Sequence, residues 1–282
     1  MSQITGAAMV AGIVGHPVAQ SLSPVLHSAW IEAAGLNAAY VPLAPALDGF
    51  AALINGLRGG VIRGVNVTIP FKLEALVVAD EIGERAGMAG AANLLLFRED
   101  GSIFADNTDG LGMLAALKLR APGFDPAAGP AVILGAGGAA RGAAAALVLA
   151  GAPEVRIVNR SRDRAEALTR DVHGPLKVVD SADALREANV LINATSLGMG
   201  GGEGPALDLE AAPATTVVMD MVYKPLRTTF LKRTALRGLR TVDGLEMLIQ
   251  QAVPSFEAFY GVAPPASVDV RALALKTVGE SE

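Results

Sequence analysis

The sequence predicts a two-domain α/β protein, in which a mixed sheet is followed by a doubly wound parallel sheet. Three observations predict this fold. The chain has 282 residues, and at about 150 residues per domain this length suggests two domains. Strand-like apolar runs alternate with helical stretches through almost the whole chain, as in βαβ units. A glycine-rich turn at residues 135–138 joins an apolar run to an alanine-rich helix, which is typical of dinucleotide-binding domains.

The first domain is predicted over residues 1–109. The β-branched run at 9–14 is its first strand, and Ser23-Pro24 begins a helix that ends at Gly35. Pro70 is expected to begin a second helix, because proline favours the first helical position. Further strands are expected at 40–43, 61–68 and 94–97, and the last of them leads into a hairpin-like turn at 99–101.

The second domain is predicted over residues 110–244. Three prolines and two glycines at 121–130 interrupt the pattern, and six strand candidates with intervening helices follow. These candidates are 131–134, 155–159, 177–179, 190–194, 216–221 and 239–242. They fit one Rossmann-like domain. Residues 245–282 are helical in pattern and have no strand, so we expect them to return and pack on the first domain.

The composition excludes several classes of protein. Hydrophobic residues make up 51% and charged residues 18%, so disorder is excluded as the main state. The net charge of −5 gives no electrostatic reason to expect nucleic acid or an anionic membrane as a partner. Residues 131–151 contain too many glycines for a membrane-spanning helix, and no Lys or Arg precedes Arg58, as a signal peptide would require. We expect a cytoplasmic protein, either a monomer or a homodimer.

Metal and thiol chemistry are not expected. Cysteine is absent, which excludes disulfides, thiolate metal sites and a cysteine nucleophile. The three histidines, His16, His27 and His173, are too scattered to suggest a metal site and are interpreted as packing or surface residues.

The glycine turn predicts a dinucleotide site. The G-x-G-x-x-G/A pattern follows a strand and opens a helix, and its residues are Gly135, Ala136, Gly137, Gly138 and Ala139. Glycines allow a tight turn and a close approach of the backbone to a pyrophosphate, and the helix amino terminus offers free N–H groups. An ordinary tight turn between strand and helix is the alternative.

The end of the next strand predicts NADP as the cofactor. NAD-dependent enzymes place an acidic residue there, whereas this chain has Asn159, Arg160 and Ser161, followed by Arg164. Two guanidinium groups suit a 2′-phosphate, and the net charge of +3 over residues 110–244 suits an anionic ligand. The alternative is a solvated helix start with ion pairs such as Arg162–Glu166.

In the first domain, polar residues cluster at strand ends, where open α/β sheets bind ligands. Lys72 is the most informative of them, because it falls in the first turn of the helix expected from Pro70. A helix dipole disfavours a cation there, which suits a group that exchanges a proton. Asp109 begins a later helix and could hold the lysine ammonium. Ser23 and the segment 108–110 could instead act as helix caps.

Seven ordered motifs resemble those of the shikimate dehydrogenase family over nearly the whole chain. They are Ser21-Leu-Ser-Pro24, Asn66-Val-Thr-Ile-Pro-Phe-Lys72, Asp106-Asn-Thr-Asp-Gly110, Gly135-Ala-Gly-Gly138, Asn159-Arg-Ser161, Asn193-Ala-Thr-Ser-Leu-Gly-Met199 and Asp243-Gly-Leu-Glu-Met-Leu248. The resemblance implies reversible reduction of 3-dehydroshikimate to shikimate with NADPH, in aromatic amino acid biosynthesis.

The resemblance also implies roles for individual residues. Lys72 and Asp109 would be the catalytic pair, with Lys72 exchanging a proton with the substrate hydroxyl. The substrate would contact Ser21, Ser23, Asn66, Thr68, Asn93, Tyr223 and Gln251. The cofactor would also contact Thr195 and Met247. Hydride transfer needs no bound metal.

Three positions depart from the family pattern. Gln20, Leu94 and Glu246 stand where His, Thr and Gly are usual, and Glu246 is expected near the nicotinamide end of the cofactor. Quinate and aminoshikimate dehydrogenases share most of the motifs and are the alternative substrate assignments. A non-catalytic dinucleotide-binding regulatory protein is the alternative of a different class, but it would not need Lys72 and Asp109 together.

Overall fold

The computed structural model describes residues 4–281, which divide into two compact units. The first unit comprises residues 4–108 together with 251–281, and the second comprises residues 109–250. One boundary lies at the first residue of the helix α5 (Asp109–Arg120), and the other lies within the helix α9 (Gly244–Tyr260). Helix α9 therefore supplies residues to both units.

The first unit contains a mixed sheet, as predicted, but this sheet has six strands, whereas four were expected from the sequence. Its strands are β1 (Met9–Val14), β2 (Ala38–Leu43), β3 (Ile62–Val67), β4 (Glu81–Ile82), β5 (Leu94–Phe97) and β6 (Ile103–Asp106). Its helices before α5 are α1 (Ser23–Ala33), α2 (Phe50–Gly56), α3 (Glu74–Val77) and α4 (Glu84–Ala89). The strand order is β2-β1-β3-β5-β6-β4, and β5 runs antiparallel to both β3 and β6.

The prediction that a helix begins at Pro70 is wrong. The chain turns over residues 69–73, and α3 begins only at Glu74. The carbonyl of Lys72 accepts a hydrogen bond from the Ala92 N–H at 2.8 Å, so it is used outside the helix. Phe71 is fully buried and stacks on Phe50 with ring centroids 4.7 Å apart, which anchors the turn to the core. Lys72 therefore does not lie in the first turn of a helix, and the dipole argument does not apply to it.

The second unit contains a six-stranded parallel sheet. Its strands are β7 (Ala131–Leu134), β8 (Val155–Val158), β9 (Leu176–Val178), β10 (Val190–Asn193), β11 (Val217–Asp220) and β12 (Arg240–Val242). The other helices are α6 (Gly138–Leu149), α7 (Arg162–Asp171) and α8 (Thr229–Leu236), with 3-10 turns at Pro126–Ala128, Met199–Gly201 and Leu209–Ala211. The order β12-β11-β10-β7-β8-β9 is the doubly wound order of dinucleotide-binding domains. Successive strands are added to one side of β7 up to β9, and from β10 onwards they are added to its other side.

The carboxy-terminal residues belong to the first unit, as expected from their lack of strands. The last part of α9 lies against the mixed sheet, where a Cβ on Gly64 of β3 would lie 2.7 Å from the ring of Phe259. Tyr260 donates a hydrogen bond to the carbonyl of Ala39 at 3.1 Å. The final helix, α10 (Val270–Val278), packs against α1.

Candidate active site

In the first unit, four chain segments bring polar residues to one edge of the mixed sheet. β1 and β3 are parallel and end in register, with Val14 opposite Val67. β5 runs in the opposite direction and begins at this edge, where Leu94 lies opposite both Asn66 and Asp106. The residues at the end of β3, just before β5 and after β6 are therefore neighbours.

These residues form a buried hydrogen-bond network. The Asn66 Nδ2 donates to the Asn93 carbonyl at 3.2 Å and to the Ser255 Oγ at 2.8 Å. The Asn93 side chain accepts from the Thr108 N–H at 2.7 Å, and its Nδ2 donates to the Gln251 Oε1 at 3.3 Å. Three of the predicted substrate residues, Asn66, Asn93 and Gln251, are thus brought together by side chains that are almost fully buried.

Ser21 and Ser23 lie at the start of α1, and neither caps it. The N-cap residue is Leu22, whose side chain makes no capping hydrogen bond. Ser23 is the first helical residue and is buried; its N–H donates to the Ser21 Oγ at 3.3 Å, and its side chain lies beside the phenol of Tyr40. The capping alternative for Ser23 is therefore wrong.

Lys72 and Thr68 occupy the turn that follows β3. Thr68 continues the strand by one hydrogen bond, from its N–H to the carbonyl of Val14 at 2.9 Å, and its own carbonyl accepts from the Phe71 N–H. Lys72 is half-buried next to the fully buried Phe71, and its backbone is bonded to Ala92, the residue before Asn93. The lysine is therefore held at the same sheet edge as the asparagine network.

Two members of the network were missed in the sequence. Ser255 follows Gln251 by four residues on α9, and this helical spacing could have indicated it. Tyr40 carries no such signal, because it was interpreted only as a strand residue of β2. The structure places its hydroxyl 2.8 Å from the Asn66 Oδ1, and burial raises the pKa of Tyr40 well above its usual value.

In the second unit, the glycine turn follows β7 with the geometry that a dinucleotide requires. Gly135 has a φ of +112°, and a Cβ there would lie 3.1 Å from the Ala194 carbonyl oxygen and from the Thr195 Cγ2. Gly137 precedes the first residue of α6, and a Cβ there would meet nothing within 4 Å. The open space over the amino end of α6 is suited to a phosphate group.

The end of β8 fits a 2′-phosphate. Asn159 follows the strand, and its Nδ2 donates to the Ser161 carbonyl at 2.8 Å, which shapes the turn into α7. Arg160 and Arg164 are both exposed, and within residues 4–281 no ion pair involves either of them. The expected pair between Arg162 and Glu166 does form, at 3.0 Å, but it leaves the other two guanidinium groups available.

A second buried network holds the loop that faces the glycine turn. Thr195 donates its hydroxyl to the Asn193 Oδ1 at 2.6 Å, and the Asn193 Nδ2 donates to the Asp220 carboxylate at 2.8 Å. Asp220 also accepts from the Thr228 hydroxyl at 2.6 Å and the Val222 N–H at 3.0 Å. Burial raises the pKa of Asp220, and the hydrogen bonds from Thr228, Val222 and Asn193 offset only part of that rise.

Four other residues singled out in the sequence lie in the second unit. Asp109 is the first residue of α5 and is buried, whereas Tyr223 is half-buried in the loop after β11. Met247 is buried on α9. Glu246, next to it, is buried and forms an ion pair with Arg120 of α5 at 2.7 Å, so the side chain that replaces the usual glycine is bound within this unit.

No group of three or more His, Asp or Glu side chains within residues 4–281 could hold a metal ion. Over the same residues, no helix has both the length and the apolar character needed to cross a membrane.

Comparisons with known proteins identify the family. Residues 13–95 match the shikimate dehydrogenase substrate binding domain, and residues 124–198 match the shikimate / quinate 5-dehydrogenase family. A shikimate dehydrogenase (NADP(+)) of Caulobacter vibrioides is 62% identical over 281 residues, which is 98% of each chain.

Solved structures agree with this similarity. The shikimate 5-dehydrogenase of Thermus thermophilus in complex with NADP(H) and shikimate is 37% identical, with a TM-score of 0.85 over 96% of this chain and 99% of that one. The quinate dehydrogenase of Corynebacterium glutamicum in complex with NAD is 27% identical, with a TM-score of 0.84 over the same shares. The chain therefore belongs to the shikimate dehydrogenase family.

Proposed function

We propose that this chain catalyses the reversible, NADP-dependent reduction of 3-dehydroshikimate to shikimate in aromatic amino acid biosynthesis. The observation that carries the proposal is the buried network of Asn66, Asn93 and Gln251 at the sheet edge that also holds Lys72. A small polyhydroxylated acid needs many neutral donors and acceptors and few charges, and this edge offers that combination.

Within this proposal, Lys72 and Asp109 are the catalytic pair. Lys72 donates a proton to the carbonyl oxygen of 3-dehydroshikimate as that oxygen becomes a hydroxyl, and it takes the proton back in the reverse direction. Asp109 holds the lysine ammonium. Ser21 and Ser23 bind the substrate carboxylate, and Thr68 and Tyr223 complete the contacts made by the asparagine network.

The second unit is proposed to hold NADP. The backbone of Gly135–Ala139 binds the pyrophosphate at the amino end of α6, and Arg160 and Arg164 bind the 2′-phosphate with Asn159 and Ser161. Thr195 and Met247 lie along the remaining part of the cofactor. When bound, NADPH supplies the hydride that reduces the substrate carbon.

A four-way assay tests the substrate and the cofactor together. Purified protein is given shikimate or quinate, each with NADP or NAD, and reduction of the cofactor is followed by its absorbance. We expect the highest kcat/KM with shikimate and NADP. Faster turnover of quinate with NAD would favour the quinate dehydrogenase alternative. That alternative is suggested by the similarity to the quinate dehydrogenase of Corynebacterium glutamicum.

Replacement of Lys72 tests the chemistry. Lys72→Ala should lower kcat by roughly 10²–10⁴-fold, the usual range for loss of a general acid–base group, and should change the KM for shikimate far less. Lys276→Ala is the matched control, because Lys276 is an exposed lysine on α10 in the same unit. Full kcat in Lys72→Ala would contradict the catalytic assignment of Lys72. No turnover in the wild-type protein would favour the non-catalytic binding protein.

A further inference from the structure

Tyr40 lies between two of the proposed substrate-binding side chains, Ser23 and Asn66. It lies on β2 and is almost fully buried. Its hydroxyl donates to the Asn66 Oδ1 at 2.8 Å, and the side chain of Ser23 lies beside it.

The orientation of the Asn66 amide follows from its partners. The Asn93 carbonyl can only accept a hydrogen bond, so the Asn66 Nδ2 must face it. The second Nδ2 hydrogen is donated to the Ser255 Oγ. Both donors of this amide are then used, and Tyr40 uses one of the two lone pairs of Oδ1. What Asn66 has left for a ligand is one acceptor lone pair.

The ring of Tyr40 is held by aromatic neighbours. His27 stacks on it with centroids 4.0 Å apart and an interplanar angle of 9°, and Phe259 of α9 lies at 6.3 Å. Neither ring nitrogen of the fully buried His27 has a hydrogen-bond partner in the described part of the chain. The imidazole therefore acts as a flat apolar support, and the phenol hydroxyl has a fixed position between Ser23 and Asn66.

We propose that Tyr40 is a positioning residue of the substrate site, which sets Asn66 to accept a hydrogen bond from a substrate hydroxyl. Asn66 thereby favours ligands that present an O–H at that point over ligands that present only an oxygen acceptor. Tyr40 itself does not touch the substrate. The inference rests on the proposed function, because it takes shikimate as the ligand whose hydroxyl is bound.

Tyr40→Phe tests the inference, because it keeps the aromatic ring and removes only the hydroxyl. We expect the KM for shikimate to rise roughly 3- to 30-fold, while kcat and the KM for NADP stay within twofold. Tyr260→Phe is the matched control: Tyr260 is also a buried tyrosine in this unit, but its hydroxyl donates to the backbone of Ala39. It should leave the KM for shikimate unchanged, even where both variants lower Tm.

A double-variant comparison tests the route through Asn66. If Tyr40 acts through that amide, Tyr40→Phe should raise the KM for shikimate by a smaller factor in an Asn66→Ala background than in the wild-type background. An unchanged factor overturns the inference. So does a KM for shikimate that stays within twofold in Tyr40→Phe, which would leave the hydroxyl with a structural role only.

Calorimetric titration of shikimate, which needs no turnover, separates this inference from the proposed function. If wild-type protein binds and oxidises shikimate and Tyr40→Phe binds it with equal affinity, the inference alone is overturned. Wild-type protein that binds shikimate without oxidising it overturns the proposed function, and a weaker affinity in Tyr40→Phe then still supports the positioning role. Wild-type protein that binds no shikimate overturns both.

Discussion

Burial of His27 predicts a specific loss of stability in mild acid. Its imidazole is fully buried, with no hydrogen-bond partner for either nitrogen among residues 4–281. Burial lowers its pKa from 6.5 to about 3, since the charged form would lose its hydration. Between these two values the unfolded chain binds a proton that the folded chain does not. His27 therefore costs no unfolding free energy well above pH 6.5, and the free energy of unfolding falls as the pH is lowered towards 3.

The magnitude follows from the two pKa values. At pH 5 the unfolded imidazole is almost fully protonated and the folded one is neutral, so this single group costs about 2 kcal/mol of unfolding free energy. The loss approaches its limit of about 5 kcal/mol below pH 3, at about 1.4 kcal/mol for each unit of difference in pKa. A loss of 2 kcal/mol is a large part of the stability of an ordinary domain.

Urea unfolding at pH 7.5 and pH 5.0 measures this effect. Trp30 is the sole tryptophan, lies in the first unit and is almost fully buried, so its fluorescence reports the unfolding of the unit that contains His27. His27→Phe keeps an aromatic ring beside Tyr40 but cannot bind a proton. Wild-type protein should lose about 2 kcal/mol more than this variant between the two pH values, because their other titrating groups are shared.

The exposed His173 supplies the control, since His173→Gln should lose as much stability as wild type over the same pH interval. Equal losses in wild type and His27→Phe would refute the reasoning. That result would mean that the folded protein accommodates a charged imidazole at this position.

Two further predictions concern the second unit. Replacing both Arg160 and Arg164 by Ala should raise the KM for NADP roughly 10- to 100-fold and leave the KM for NAD within twofold. The control Arg162→Ala removes an arginine that is paired with an acid and should change neither KM. Both values are measured by steady-state kinetics, and equal losses with both cofactors would contradict the 2′-phosphate role. Arg120→Met should lower the free energy of unfolding by about 2–4 kcal/mol, because it removes the guanidinium that forms an ion pair with the buried Glu246 carboxylate. Adding Glu246→Met should recover most of the loss in denaturant unfolding, and no recovery would show that the pair is not the cause.

Local sequence patterns predicted most of the fold. All six strands predicted for the second domain are present, within a few residues of their predicted limits, because each is an apolar run bounded by turn residues. The glycine turn was predictable for the same reason, since strand, turn and helix are contiguous in the chain. The turn at Lys72 was not predictable, because the hydrogen bond from Ala92 to the Lys72 carbonyl is a tertiary contact.

The sequence by itself determined the fold class, the family, the cofactor turn and the identities of the candidate site residues, because all of these depend on residue types at short and ordered spacings. Only the tertiary structure decided how these residues are connected. Tyr40 and Asn66 are 26 positions apart, and Asn66 and Ser255 are 189 apart. Their contacts depend on the register of the mixed sheet and on the return of α9 to the first unit. No local pattern encodes a hydrogen bond at such a separation, because its geometry is set by the packing of elements that are distant in the chain.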